Sequence, residues 1–175
     1  MLHVTREAVV ALREFTLRCA AVLFMDGAIQ YTDGLPAESI MQKFQHRKDN
    51  QITTLEILAI SVGLSTFQSE LQGRRVVVYS DNTGAEASVD KGSSTAWDQC
   101  MLIHEIWTLA RARGFCVSGY LFVCCTQALR NRMHIWVDRV SSEENISDLP
   151  SRESYVHLEA LGAKWRPPAL ASMFL

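Results

Sequence analysis

The sequence predicts one α/β domain, a mixed β-sheet flanked by helices. Short β-type runs alternate with long segments of helical periodicity. Hydrophobic residues make up 48% of the 175 residues, and only four prolines occur. A chain of this length and apolar content can bury a core of its own. Strands that alternate with helices bury their apolar faces most readily in a sheet covered by helices.

Two antiparallel strands are predicted near the start of the chain. Residues 18–25 and 28–32 are β-type runs, and Asp26-Gly27 between them suits a tight turn with positive φ. The preceding segment, residues 1–17, has a more helix-like pattern. Residues 34–50 are polar and mixed, and we expect a loop with one short helix.

The central part of the chain has the clearest periodicity. Residues 53–71 place apolar side chains at helical spacing, and Gly73 follows as a helix stop. Residues 75–80 are apolar at consecutive positions, which is typical of a central strand buried on both faces. A helix is expected from there to about Val89, and residues 96–112 predict another amphipathic helix.

The last part of the chain predicts a strand and a helix. Residues 133–140 alternate in character, which indicates a strand with two differently used faces. Residues 147–161 predict a final helix with Pro150 in its first turn.

The expected domain organisation has three parts. Residues 1–17 form an atypical N-terminal segment, residues 18–170 form the domain, and residues 171–175 form a tail. Within the domain, residues 111–127 are expected to be an insertion. It is either a genuine extra strand, because FCVSGYLFV has β-type composition, or translated intron sequence.

Charge and cysteine usage limit the classes of partner. With 17 Lys+Arg against 19 Asp+Glu, there is no global basic field, so any nucleic-acid contact must come from a local patch. The five cysteines follow no disulfide or zinc-ligand spacing. We therefore expect an intracellular protein, in the cytoplasm or nucleus. The longest apolar-leaning run, residues 115–125, is too short to span a bilayer, so no membrane partner is expected.

Three carboxylates stand at the ends of predicted elements. Glu56 lies in the first turn of the long helix, Asp81 ends the central strand, and Asp148 opens the last helix. Mg²⁺ needs hard oxygen ligands from several directions, and such a set can supply them. Each acid also has a structural interpretation: a capping box for Glu56, an N-cap for Asp81, and a favourable helix dipole for Asp148. Spacing alone leaves both interpretations open.

Three sequence blocks carry a resemblance to a known family. They are QITTLEILAI, RVVVYSDNTGA and WVDRVSSEENISDLPSR, and the E-N-x-x-D-x-P-S-R pattern in the last is the most specific. In this order, over roughly residues 18–170, the chain resembles the ribonuclease H domain of retroelement reverse transcriptases, particularly those of fungal genomes.

The resemblance implies a two-metal nuclease that cuts the RNA strand of an RNA–DNA hybrid. Glu56, Asp81 and Asp148 match the second, third and fourth acids of the family, so they are the expected catalytic residues and metal ligands. Mg²⁺ is the expected cofactor, with Mn²⁺ as a substitute. The expected partners are hybrid nucleic acid and a fused or associated reverse transcriptase. The oligomeric state stays open.

The first acid of the family has no clear counterpart in this chain. It belongs to the first strand of a three-stranded meander, and its place falls at residues 12–16, where LREFT contains no aspartate. We expect both that strand and its aspartate to be missing. Asp33, Asp26 and Glu14 are weak substitutes, and Asp26 is best explained as a turn residue.

The missing acid leaves the activity open. In the family the first aspartate serves both metals, so we expect a ribonuclease H-type endonuclease that is weak or inactive. The alternative is a catalytically inactive remnant that binds nucleic acid or has no activity. Integrase-like strand transfer is a further alternative, but the order of the acids favours ribonuclease H.

Basic and aromatic residues are the candidates for nucleic-acid contacts. The basic candidates for contacts with the hybrid backbone are Lys91, Arg130, Arg132, Arg139 and Arg152. The tryptophans Trp97, Trp107 and Trp136 are expected to pack first and to stack on bases second.

Overall fold

The computed structural model describes residues 7–15, 18–44, 51–112, 115–117 and 133–169. The strands are β1 (Glu7–Phe15), β2 (Arg18–Met25), β3 (Ala28–Gly34), β4 (Arg75–Ser80), β5 (Phe115–Val117), β6 (Met133–Arg139) and β7 (Lys164–Trp165). The helices are α1 (Glu38–Met41), α2 (Ile52–Thr66), α3 (Gln68–Leu71), α4 (Thr83–Lys91), α5 (Trp97–Ala112), α6 (Asp148–Ser151) and α7 (Val156–Ala160).

The strands form one mixed sheet in the order β5-β6-β4-β1-β2-β3-β7. Strands β1, β2 and β3 form an antiparallel meander, while β1 with β4, β4 with β6, β5 with β6 and β3 with β7 are parallel. The tight turn at Asp26-Gly27 joins the antiparallel pair β2 and β3, and parallel neighbours require longer crossover connections. The predicted fold class, a mixed sheet flanked by helices, is confirmed.

The expectation that the first strand is missing is wrong. Residues 7–15 form β1 in the middle of the sheet, paired with β2 on one side and β4 on the other. Pairing on both sides satisfies the backbone N–H and C=O groups of the strand. This gain outweighs the weak helical preference of the local sequence, because tertiary context routinely overrides propensity.

The hairpin between β2 and β3 is confirmed. Asp26 and Gly27 have φ values of 49° and 78°, as a two-residue hairpin turn with positive φ requires. The Asp26 carboxylate also forms a 2.7 Å ion pair with Arg74, and both side chains are partly exposed. Asp26 is therefore a turn residue, as predicted.

The predicted long helix is α2 followed by the short helix α3. The two are separated at Phe67, whose φ of −96° and ψ of 17° depart from helical values. Helix α2 is buried along nearly its whole length, and it contacts α5, β1 and β2. The predicted strand β4 and helices α4 and α5 are also present.

The core has one part on each face of the sheet. The larger part includes Leu23 of β2, Leu55 of α2 and Val78 of β4. The smaller part contains Val22 of β2, Tyr31 of β3 and Leu158 of α7. Successive residues of β2 thus enter different parts of the core, because side chains alternate between the faces of a strand.

The prediction of one final helix over residues 147–161 is wrong, because the chain forms α6 and α7 with a break between them. Glu153, in the break, has a φ of 58°, a left-handed conformation that cannot continue a helix. The Ser154 amide donates to the Leu149 carbonyl at 2.8 Å and closes the end of α6. Pro150 lies in the first turn of α6, as predicted.

Only part of the expected insertion falls on described residues. Phe115–Val117 forms β5, which pairs in parallel with β6 at one edge of the sheet. These three residues form a strand, and their assignment to an insertion stays a prediction. Residues 113–114 and 118–127, like the predicted tail, lie outside the described residues. Within the described chain, no helix is both long and apolar enough to cross a membrane.

Candidate functional site

One loop brings Asp81 and Asp148 to the same region of the molecule. Asp81 follows the last residue of β4, and the loop of residues 140–147 connects β6 to α6, which begins at Asp148. Within this loop, the Ser142 hydroxyl donates to Asp81 Oδ2 at 2.7 Å. Asn145 Nδ2 donates to Asp81 Oδ1 at 3.4 Å. The loop therefore links the end of β4 to the start of α6.

The side chain of Asn145 has a defined orientation. It is 3% exposed, and its Oδ1 accepts hydrogen bonds from the hydroxyl and the backbone amide of Ser147, at 2.7 and 3.3 Å. Because the carbonyl oxygen faces these donors, the NH₂ group faces Asp81. Ser147 is itself fully buried and immediately precedes Asp148.

Asp148 lies in a cleft of about 680 Å³, which is also lined by Glu143, Glu144, Asn145 and Arg152. Its Oδ2 is 3.3 Å from Arg152 Nη2, one turn further along the chain. The helix-dipole interpretation of Asp148 explains little, because α6 has only four residues.

The capping interpretations of Glu56 and Asp81 are wrong. Helix α2 begins after Gln51, so Thr53 lies inside the helix and cannot form a capping box with Glu56. The N-cap of α4 is Asn82, whose side chain accepts from the Ala85 amide at 2.9 Å. Glu56 is 2% exposed, a degree of burial that is rare for a carboxylate.

The predicted acids do not all meet in one group of ligands. Among the described residues, no three or more His, Cys, Asp or Glu side chains lie together so that they could hold a metal ion. The structure brings Asp81 and Asp148 to one loop, but it does not join Glu56 to them as a ligand group. Metal ligation by the three carboxylates stays a prediction.

The strand register shows which residues stand beside Asp81 on β1. Leu12 pairs with Ser80, and this is the last pair of the parallel β1–β4 ladder. Arg13 follows Leu12 on β1, and Asp81 follows Ser80 at the end of β4. Arg13 and Asp81 therefore both stand one residue beyond the last pair. Glu14 is one step further and pairs with Cys19 of β2. Neither Leu12 nor Arg13 carries a carboxylate.

Asp33, a possible substitute for the first acid, makes contacts that indicate a structural role. It pairs with Ala20 on β2, which in turn pairs with Arg13 on β1, so Asp33 lies two strands away from Arg13. Its buried carboxylate accepts from Arg18 at 2.5 Å, and from Tyr155 and Trp165 at 3.0 Å each.

The Asp33 cluster attaches the C-terminal segment to the sheet. Burial, together with the hydrogen bond to Asp33, raises the pKa of Tyr155 to about 12. Glu153 extends the cluster by accepting from Arg18 at 2.7 Å. No local sequence pattern indicates this cluster, because Tyr155 and Trp165 lie more than 100 residues after Asp33.

The expected nucleic-acid contacts differ in their exposure. Trp97, at the start of α5, is 59% exposed, so its predicted packing role is wrong. Trp107 packs against the larger core, as predicted. Lys91, Arg139 and Arg152 are exposed. Arg130, Arg132 and the side chain of Trp136 lie outside the part of the chain that the structure describes.

Comparisons with known proteins give a match in structure only. No family model matches the sequence, and no curated protein matches it. The chain is similar in structure to the N-terminal RNase H domain of a Mycobacterium tuberculosis protein, solved as a fusion with maltose-binding protein. The TM-score is 0.53 at 11% sequence identity, over 90% of this chain and 97% of that chain. With its mixed sheet and flanking helices, the chain has a ribonuclease H-like fold.

Proposed function

We propose that this chain is a ribonuclease H-like domain of retroelement origin that binds RNA–DNA hybrid but hydrolyses its RNA strand weakly or not at all. The observation that carries this proposal is the register of β1, which puts Leu12 and Arg13 beside the end of β4. Two-metal hydrolysis holds its ions roughly 4 Å apart with oxygen ligands. Leucine offers no such ligand, and arginine carries a positive charge.

The residues that the structure describes do not fit a two-ion site, because no three potential ligands lie together among them. Hydrolysis through a metal ion is therefore no part of the proposed function.

Binding of a nucleic acid is supported by the fold and by the three sequence blocks that resemble the retroelement family. The same resemblance supports a place beside a reverse transcriptase, in the cytoplasm or nucleus. Hybrid is the proposed substrate class, since a reverse transcriptase produces hybrid while it copies RNA into DNA.

The connection between α4 and α5 is the proposed contact surface for the hybrid. Lys91 ends α4 and Trp97 begins α5, and both side chains are exposed. Gly92, with a φ of 73°, turns the chain between them. A lysine can neutralise a phosphate, and an exposed tryptophan offers a face on which a base or sugar can pack.

The contact surface is tested by fluorescence anisotropy with a labelled hybrid. Lys91→Glu and Trp97→Ala should each weaken binding about tenfold, because a phosphate contact or a stacking contact is worth about 1–3 kcal/mol. Lys164→Glu, on the edge strand β7, is the charge-matched control and should change affinity little. Equal losses from Lys91→Glu and Lys164→Glu would show that only net charge matters.

The proposed lack of hydrolysis is tested on the same hybrid with its RNA strand labelled. We expect the unaltered chain to bind the hybrid and to leave the RNA intact in Mg²⁺ and in Mn²⁺, at the level of Asp81→Asn. Efficient cleavage that Asp81→Asn abolishes would overturn the proposal. Absence of binding by a folded chain would overturn it equally, and would leave a remnant without activity.

A further inference from the structure

The hydrogen bonds of Asp81 point to a role that needs no metal. We propose that Asp81 is a structural tie, which holds the loop of residues 140–147 and the start of α6 against the end of β4. This inference rests on the proposed function, because it gives the acid a role in a domain that does not hydrolyse RNA.

The tie joins parts of the chain that are distant in sequence. Ser142 and Asn145 lie 61 and 64 residues after Asp81, and each donates to a different oxygen of its carboxylate. Beside it, the Val140 amide donates to the Ser80 carbonyl at 3.2 Å and continues the β4–β6 contact. The side-chain bonds therefore extend the backbone pairing beyond the end of the sheet.

The loop is held on its other side by its own hydrogen bonds. The Ser141 hydroxyl donates to Glu144 Oε2 at 2.9 Å, and the Glu144 amide donates to the Ser141 carbonyl at 3.0 Å. Asn145 then connects the Asp81 carboxylate to Ser147, the residue before α6. The buried side-chain amide of Asn145 thus connects the end of β4 to the start of α6.

The proposal predicts that removal of the Asp81 carboxylate lowers the stability of the metal-free protein. Carboxylates that are gathered for a metal repel one another when it is absent, so neutralising one of them normally stabilises the metal-free protein. Asp81 instead accepts from neutral donors, and hydrogen bonds to an ionised acceptor are roughly twice as strong as neutral ones. Removing the carboxylate leaves the buried Asn145 amide without this acceptor.

Thermal unfolding of the full chain in EDTA measures this change in stability. Asp81→Ala should lower Tm by about 2–4 °C, the effect of losing one exposed and one part-buried hydrogen bond in a domain of this size. Asp81→Asn, which keeps one acceptor oxygen, should lower it less. Asp90→Asn is the matched control, because burial raises the pKa of Asp90 and removal of its charge should not destabilise.

A double-mutant cycle separates the tie from a general loss of stability. The Tm decrease of Asp81→Ala combined with Asn145→Ala should be clearly smaller than the sum of the two single decreases, because both remove the same contact. If Asp81→Ala fails to fold, the Asn145 side-chain amide can be followed by NMR in Asp81→Asn. Its protons should then exchange with solvent faster than in the unaltered chain.

Two results would overturn the tie. One is a higher Tm for Asp81→Ala in EDTA. The other is a rise in the Tm of the unaltered chain with millimolar Mg²⁺ that Asp81→Ala abolishes, which is the behaviour of a metal site. Neither result bears on hybrid binding, so failure of the tie is distinguishable from failure of the proposed function.

Discussion

Glu105 is a carboxyl group buried between α5 and α2, and it is 4% exposed. Burial raises its pKa to about 7, and the nearby Ser61 hydroxyl offsets only part of this effect. The folded protein therefore holds the Glu105 proton more tightly than the unfolded chain does. The contribution of Glu105 to folding stability should be fully present below pH 4.5, the ordinary pKa of a glutamate, and should be lost as the pH rises through about 7.

Replacement of Glu105 by glutamine should remove this pH dependence. At pH 8 we expect Glu105→Gln to be more stable than the unaltered chain by about 1–3 kcal/mol, because glutamine cannot ionise. At acidic pH the two proteins should be similar. Urea unfolding at both pH values measures the difference, with the exposed Glu159→Gln as the control. Parallel pH profiles for the unaltered chain and Glu105→Gln would contradict the expectation.

Asp33 is the second residue whose environment predicts a measurable effect. Asp33→Asn should destabilise the protein by about 1–3 kcal/mol, because it weakens the part-buried hydrogen bonds from Arg18 and Tyr155. It should also lower the pKa of Tyr155, which the negative charge of Asp33 helps to raise.

Chemical unfolding and an NMR titration of the Tyr155 ring give the two readouts for Asp33→Asn. Asp26→Asn is the matched control, since its ion pair with Arg74 is partly exposed and should be worth less than about 1 kcal/mol. Equal losses of stability in the two variants would refute a special role for Asp33.

At the scale of elements, the sequence predicted those features that depend on residues close together in the chain. Asp26-Gly27 has the residues of a tight turn, the segment of α2 has apolar residues at helical spacing, and β4 is a continuous apolar run, so all three were predictable. The strand β1 was not, because EAVVALREF mixes helix formers with β-branched residues and its paired residues on β4 lie 68 positions further along the chain. The break at Glu153 was also hidden, since glutamate rarely adopts positive φ.

The candidate site was predictable to a similar extent. The sequence blocks indicated Glu56, Asp81 and Asp148 as residues of one site. In the structure one loop links Asp81 to the start of α6 at Asp148, and the shared site of the three acids stays a prediction. The partners of Asp81 could not be predicted, because they depend on how residues 140–147 fold back over β4. The place of Arg13, one residue beyond the last β1–β4 pair, likewise depends on a strand register that no local pattern determines.

The central position of β1 can be tested with proline. Val10 pairs with Leu23 on β2 and with Val78 on β4. Val10→Pro should destabilise the domain by about 3 kcal/mol or more, because proline cannot donate to the ladder and is excluded from central strands. Lys164→Pro on the edge strand β7 should cost much less. Circular dichroism and thermal unfolding compare them, and a stable Val10→Pro would mean that β1 is dispensable.

At the scale of the whole molecule, a ribonuclease H-like fold carries the proposed site. A match of 11% identity over 90% of the chain shows the architecture and leaves the activity to the site. The proposed domain keeps a surface for hybrid at the α4–α5 connection. The proposed site beside β4 keeps Asp81 and Asp148, and the residues at the end of the β1–β4 register, Leu12 and Arg13, are not carboxylates.

The most direct test restores an acid at the β1 position. Because successive strand residues alternate between faces, Leu12→Asp and Arg13→Asp together sample both sides of the sheet. We predict that one of them cleaves the RNA strand of a hybrid in Mg²⁺ at least about tenfold faster than the unaltered chain, a gain of about 1.4 kcal/mol. Adding Asp81→Asn should abolish that gain. Cleavage by the unaltered chain as fast as by either variant, and equally sensitive to Asp81→Asn, would contradict the proposed loss of the first acid.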